Sequence, residues 1–245
     1  MSGKTQIIGK IDRKTRIYRI FRKEYFFNLF SERENVLVRP KTWEDPFENV
    51  ILNAEVRTAK GEKGRFGFHD EVYGQCWTLH TASDAMWKIY SKRKDAIRVR
   101  TTVGHLLDSL GAANSDWAHT TCFIGKVDYM SETKLRAFAG TIFRDGITPD
   151  AIARSLLIKR YAYKHENEVR LIFIEPRNKK HPNGLYRHGI DPGALFDQAM
   201  ADPRLPYEKF LRLKQQIVKR TGLTKKQVKR SLLYREPEGF VVEIP

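Results

Sequence analysis

Residues 168–175, Glu-Val-Arg-Leu-Ile-Phe-Ile-Glu, form the clearest strand in this 245-residue chain, an apolar run closed by a glutamate at each end. A strand needs neighbours, and the chain offers several. Residues 16–21 (Arg-Ile-Tyr-Arg-Ile-Phe) read as another strand, with 36–38, 74–79, 96–101 and 121–129 as further extended pieces. Helical periodicity lies between them. Residues 23–33 place Phe26, Leu29, Phe30 and Arg33 at 3–4 spacing, and 82–90 pack Met86, Trp87 and Tyr90. A third helix is expected over 148–160, opened by a threonine cap with Pro149 at its first position. Residues 59–67 read as an exposed Gly/Lys-rich turn. The interleaving predicts an α+β fold. No linker forces a cut, so one domain is expected over 1–245, with a catalytic-like core at 16–175.

Residues 205–235 read as a basic helical part. A helix over 207–220 puts Phe210, Leu213 and Ile217 on one stripe, and Gly222 sits where a helix-ending glycine belongs. Thr224 and Gln227 make a capping box for a second, short helix. The expectation is a basic helical hairpin, an outline that helix-turn-helix units share with ordinary packed pairs.

Charge narrows the function. Lys plus Arg number 45 against 29 Asp plus Glu, a formal +16, which concentrates polyanions around the molecule. Nucleic acid is the expected partner and an acidic protein the alternative. The candidate contacts are Lys92, Arg93 and Lys94 in one cluster, with Lys225, Lys226, Lys229 and Arg230 in the densest one. No run approaches the roughly 18–20 apolar residues of a membrane span, and residues 1–14 show no apolar signal core. Two cysteines make no disulfide framework, so a cytoplasmic location without membrane contact is expected. The histidines and cysteines lack zinc spacing, and the phosphate-binding GxxxxGK[ST] and GxGxxG turns are missing; no metal is expected.

Three blocks have the residues for chemistry. Tyr18-Arg19 lies in the first strand, where alternation sets Arg19 on the face of Ile17 and Phe21. Cys76-Trp77-Thr78 is followed by Met86-Trp87-Lys88-Ile89-Tyr90, and alternation separates Trp77 from Thr78. Cys76 has no base beside it in sequence and reads as an inert cysteine. Glu166 and Glu168 enter the strong strand two residues apart, so an extended chain projects both to one side. Two carboxylates that close repel, which suits acid–base work or the steadying of a developing cation.

In order and content these blocks resemble a bacterial family, domain of unknown function 2971. The outline covers residues 16–235: Tyr18-Arg19, Trp43-Glu44-Asp45-Pro46-Phe47-Glu48, Cys76-Trp77-Thr78, Met86-Trp87-Lys88-Ile89-Tyr90, Val127-Asp128-Tyr129, 159–170 and Val228-Lys229-Arg230-Ser231-Leu232. The chain is also similar to ADP-ribosyltransferases, with Arg19, Thr78 and a Glu-x-Glu pair ending in Glu168 in the family's order. Cys-Trp-Thr departs from the Ser-Thr-Ser of arginine-modifying members. That similarity implies split mixed and antiparallel sheets flanked by helices, with NAD as the substrate cofactor. Arg19 and Tyr18 would hold NAD, and Trp77, Thr78 and Tyr90 would shape the nicotinamide pocket. Glu168 would stabilise oxocarbenium character, and Glu166 would orient or deprotonate the acceptor.

The expected function is therefore transfer of ADP-ribose from NAD to nucleic acid or a nucleic-acid-bound target, by a toxin or antiviral defence effector with an inhibitor or antitoxin partner. Two alternatives stay open. One is a magnesium-dependent nuclease using Asp45, Glu48, Glu166 and Glu168; the other is a non-catalytic nucleic-acid-binding protein using the C-terminal helices.

Overall fold

The computed structural model describes residues 6–43, 45–57, 60–176, 179–236, 239 and 241–244. Residues 1–5, Glu44 and Ala59, which the sequence readings touch, lie outside them. The first part of the chain forms β1 (Gln6–Ile8), β2 (Arg16–Phe21), α1 (Lys23–Glu32), β3 (Glu34–Val38), α2 (Val50–Asn53), β4 (Glu55–Arg57) and β5 (Lys63–Arg65). The middle forms β6 (Val72–Thr78), α3 (Asp84–Tyr90), β7 (Ile97–Thr102), α4 (Val103–Ala112), α5 (Ala118–Thr121), β8 (Cys122–Lys126), β9 (Asp128–Met130) and α6 (Glu132–Ala139). The last part forms α7 (Pro149–Ser155), β10 (Ile158–Arg160), β11 (Glu168–Ile174), β12 (Leu185–Gly189), α8 (Pro192–Leu195), β13 (Gln198–Ala201), α9 (Tyr207–Thr221) and β14 (Val228–Arg230).

The result is an α+β fold around a mixed sheet in the order β1-β8-β11-β6-β2-β7-β13-β14, with β3 and β12 branching off β6. The terminal pairs β1–β8 and β13–β14 are parallel; the pairs between are antiparallel. The sheet is close to split. β6 pairs β11 along its whole length, from Thr78 opposite Glu168 to Val72 opposite Ile174. It touches β2 through the single bridge Tyr18–Thr78, and β3 through Val38–Gly74.

β11 is buried along both faces. Val169, Leu171 and Phe173 pack with Tyr73, Trp77 and the apolar stripes of α1, α4 and α9, while Ile172 and Ile174 pack with Phe123, Ile152 and Leu156 on the other side. Fully burying each such side chain contributes roughly 1.5–3 kcal/mol. Glu168 and Arg170 share the Ile172 face by strand alternation, so two charges enter the interior with the central strand.

Three expectations change. The helix expected over 148–160 stops at Ser155, and Ile158–Arg160 pairs with β9 as strand β10. The 121–129 strand divides at Val127, because β8 pairs with β11 and β9 with β10. The C-terminal hairpin is replaced by a helix and a strand. α9 and its Gly222 cap (φ 73°) form as read, and the Thr224 and Gln227 side chains do meet, but they close a turn. Val228 is then drawn into the core, where its strand adds to β13. Burial and a parallel ladder outweigh the weak local preference for another helical turn. The helix-turn-helix reading falls with it.

Candidate functional site

The three blocks meet where the sheet nearly splits. Glu168 opens β11 opposite Thr78 of β6, and Thr78 bridges to Tyr18 of β2. Beneath this junction lies a buried ionic cluster. Arg170, fully buried, donates from Nη2 to Glu48 Oε1 and Glu168 Oε2, both at 2.7 Å, and from Nη1 to the Leu156 carbonyl at 2.6 Å. Its guanidinium lies 4.5 Å from the Trp43 ring. Lys159 Nζ donates to Glu48 Oε1 at 2.6 Å, to Glu168 Oε1 at 3.3 Å and to Glu166 Oε2.

Three carboxylates thus face two cations, and with all ionised the cluster carries one excess negative charge. The structure places that excess. Burial raises the Glu168 carboxyl, but Arg170 and Lys159 outweigh it and hold the group below the usual carboxylate range. Burial and then the Glu168 charge push Glu166 above that range, against the pull of Lys159. Of Glu166 and Glu168, Glu166 is therefore the one that takes up a proton first as pH falls. Burial also works against the Lys159 charge, yet Glu168, Glu166 and Glu48 keep it protonated.

Glu166 and Glu168 do converge, but not by strand alternation. Glu166 ends a 3₁₀ turn (Tyr161–Glu166), and Asn167 takes a left-handed conformation (φ 46°) before β11 starts. Asparagine tolerates that region better than other non-glycine residues. Thr78 Oγ1 fixes the turn by donating to the Glu166 carbonyl at 2.6 Å, and accepts from the His80 backbone at 3.1 Å. The Glu168 backbone N–H donates to the Tyr129 hydroxyl at 2.9 Å. Tyr90 lies at the exposed side; its hydroxyl donates to Glu166 Oε1 at 3.4 Å. Ser83 caps the helix that carries it, and the helix begins at Asp84, two residues later than the sequence reading had it.

Arg19 Nη1 donates to the Cys76 carbonyl at 2.6 Å, a side-chain donor standing where β2 and β6 share no ladder bond. Its guanidinium sits over Phe21, and its buried Nε has no hydrogen-bond partner among the described residues. Burial pushes the Cys76 thiol up to about 12, and Glu168 reinforces the shift, so it is no thiolate nucleophile near neutrality. Tyr18 is buried under the Arg98 guanidinium. Trp77 is not at the junction. Period-2 alternation sends it to the opposite face of β6, where it stacks on Phe196 and donates to Gln75 Oε1 at 2.8 Å. Its expected place in a nicotinamide pocket is corrected.

Lys92 and Lys94 are exposed in the turn after α3, and Arg93 beside them pairs with Glu24 at 3.2 Å. Lys225, Lys226 and Lys229 are exposed around β14. Arg230 is half-buried, against the Tyr207 ring and the Leu205 carbonyl. Arg98 and Arg100, in the same sequence cluster as Lys92, are structural: Arg98 is buried on the Thr81 carbonyl and Arg100 pairs with Asp197 at 2.7 Å.

Lys159 entered the sequence reading only as the start of the 159–170 block, in the tail of an expected helix, and Glu48 only as the end of the Trp43–Glu48 block and as a magnesium ligand; neither was expected beside Glu168. The magnesium alternative loses its donors: Asp45 turns to Arg160 at 2.7 Å, and the other three carboxylates hold Lys159 and Arg170. Among the described residues no group of three or more His, Cys, Asp or Glu could hold a metal ion. Nor is any helix there long and apolar enough to cross a membrane.

No family model matches the chain, so the outline of domain of unknown function 2971 has no such match behind it, and no curated protein matches either. Among solved structures the chain is similar to DarT of Thermus sp. 2.9 in complex with ADP-ribosylated ssDNA, at 9% identity and a TM-score of 0.41, covering 94% of this chain and 98% of that one. It is similar to the same protein in complex with NAD+ (10% identity, TM-score 0.39, covering 91% and 98%) and with carba-NAD+ (10%, 0.39, 90% and 97%).

Proposed function

We propose that this protein is an ADP-ribosyltransferase-like enzyme that moves ADP-ribose from NAD to nucleic acid or a nucleic-acid-bound target. The observation that carries the reading is the position of Glu168: an ionised carboxylate in register with Thr78 and, through it, with Tyr18, at the near-split of the sheet. In the transfer, the bond between ribose C1′ and the nicotinamide nitrogen breaks with its electron pair going to nicotinamide. The acceptor atom then bonds C1′ and its proton passes to Glu166. Glu168 would sit against the ribose and steady positive charge at C1′, while Arg170 and Lys159 keep it ionised. Glu166, with its raised proton affinity, is the better base of the two.

The residues fit NAD at one further point. The buried Arg19 Nε, which has no hydrogen-bond partner among the described residues, is a donor suited to a pyrophosphate or ribose oxygen. Tyr90, on the exposed side of Glu166, would border the nicotinamide or the incoming acceptor. In this reading the chain works as one domain. Residues 16–175 hold the chemistry, and Lys92, Arg93, Lys94, Lys225, Lys226 and Lys229 draw in the target. An enzyme that modifies nucleic acid with a cellular metabolite suits a toxin or antiviral defence effector held by an inhibitor or antitoxin protein. Purified protein incubated with NAD labelled in its adenylate half, and with separate pools of RNA, DNA and cell protein, tests it. The expected result is label in one pool from wild type and none from Glu168→Gln. Absence of transfer together with absence of nicotinamide release would overturn it.

A further inference from the structure

A groove of about 490 Å³ lies between the start of α9 and the residues following β14, well within the size of a ligand site. Tyr207, Phe210, Arg230, Leu232 and Tyr234 line it. Tyr207 is 55% exposed, Tyr234 49% and Leu232 63%, so aromatic and aliphatic surface stays in water on a chain with ample charged residues to cover it. The rings are held in place. Tyr207 packs against Phe210 with ring centroids 6.2 Å apart, and the Arg230 guanidinium lies 5.5 Å from the Tyr207 ring. The Tyr234 hydroxyl donates to Asp84 at the start of α3. Arg230 is half-buried and anchored by its Nη2, which donates to the Leu205 carbonyl at 3.4 Å, so its guanidinium is held at the groove. Lys225, Lys226 and Lys229 are exposed in the segment that leads into β14 and in that strand.

We infer that this groove binds single-stranded nucleic acid, stacking unpaired bases on Tyr207 and Tyr234 while Arg230 and the neighbouring lysines meet the phosphates. Pre-set aromatic faces beside cations are the chemistry of sequence-tolerant single-strand binding, since every base offers a π-face only when unpaired. An acidic peptide would use the cations and leave the rings idle. A duplex hides its base faces, and the basic helix that could have entered its major groove is a strand in this protein. The position gives the groove a purpose. Asp84, which holds Tyr234, and Tyr90, which touches Glu166, are the two ends of α3, about 9 Å apart along the helix. A strand anchored in the groove can present a neighbouring nucleotide to the carboxylates. The inference extends the nucleic-acid side of the proposed function and needs none of its transfer chemistry.

Fluorescence anisotropy of a labelled oligothymidine, alone and annealed to oligoadenosine, without NAD, tests it. The expected result is tighter binding of the single strand, weakened about tenfold by Tyr207→Ala with an unchanged salt slope, and restored by Tyr207→Trp. Lys225→Ala with Lys226→Ala should instead flatten the salt dependence. Tyr234→Ala should behave like Tyr207→Ala; because it also releases Asp84, the exposed Tyr207 is the decisive position. Equal affinity for duplex, or unchanged binding by Tyr207→Ala, overturns the inference. So does displacement of the oligonucleotide by polyglutamate at equal charge concentration, which would make the occupant an acidic protein. Because NAD is left out, this measurement reads the groove alone, while nicotinamide release from NAD without any oligonucleotide reads the transfer chemistry alone, so a failed transferase and a failed groove give different results.

Discussion

β6 carries a buried polar cluster on each of its faces, and the two are built from different chemistry. On one face Glu48, Lys159, Glu166, Glu168 and Arg170 form an ionic group with more carboxylates than cations. On the other, Gln75 donates to Asn35 Oδ1 at 2.7 Å and to the Val36 carbonyl at 3.0 Å, and accepts from Trp77 Nε1; Asn35 reaches His188 Nε2 at 3.3 Å. The amide group is neutral, and Asn35, Gln75 and Trp77 satisfy one another while tying β3, where it diverges from β6, back to the sheet. The ionic group leaves one charge unbalanced in a medium that penalises it. A neutral satisfied network is what a fold uses for specificity; an unbalanced buried one persists where function needs it.

Four experiments press on that difference. The largest effect is expected on turnover: Glu168→Gln should lower it about a thousandfold or more while circular dichroism stays native, because Arg170 keeps Glu48 and the Leu156 carbonyl. A folded and active Glu168→Gln would make the ionic cluster as structural as the amide one. Next, Arg170→Met strands Glu48 and Glu168 in the interior and should cost about 3–5 kcal/mol in urea unfolding at pH 7.

The third test uses pH on the neutral face. Burial lowers His188 to about 4, from an ordinary value near 6.5. Its contribution is fully present above the unfolded value. Stability falls between pH 6.5 and 4, where the unfolded chain takes up a proton that the native state refuses, by about 3 kcal/mol in total. His188→Gln should flatten that window and leave the carboxylate-driven loss below it. A slope unchanged by the substitution would show that His188 is protonated in the folded protein. Smallest of the four, Gln75→Leu leaves Trp77 Nε1 and Asn35 Oδ1 without partners and should cost about 1–3 kcal/mol, read as a lower urea midpoint.

The convergence of Arg19, Thr78, Glu166 and Glu168 was legible in residue order, because each lies in or beside a strand whose apolar pattern is local, and the structure brings them to one junction. Lys159 was missed for the same reason in reverse. Its segment follows a well-capped helix, and only pairing with β9, distant in sequence, makes it a strand. Trp77 was misplaced although alternation already separated it from Thr78; the error was to expect both neighbours to line one pocket.

The alternation of elements, the strand at 168–175, the caps at Thr148 and Gly222 and the basic character of the surface follow from side chains and their near neighbours in the chain. Tertiary structure alone decided that Val228–Arg230 is a strand, that the sheet is almost divided between β2 and β6, and that Glu48, Lys159 and Arg170 gather around Glu168. The physical reason is shared. A short segment's own preference is a few tenths of a kcal/mol per residue, while burial of one apolar side chain or pairing of one buried charge is worth several times more.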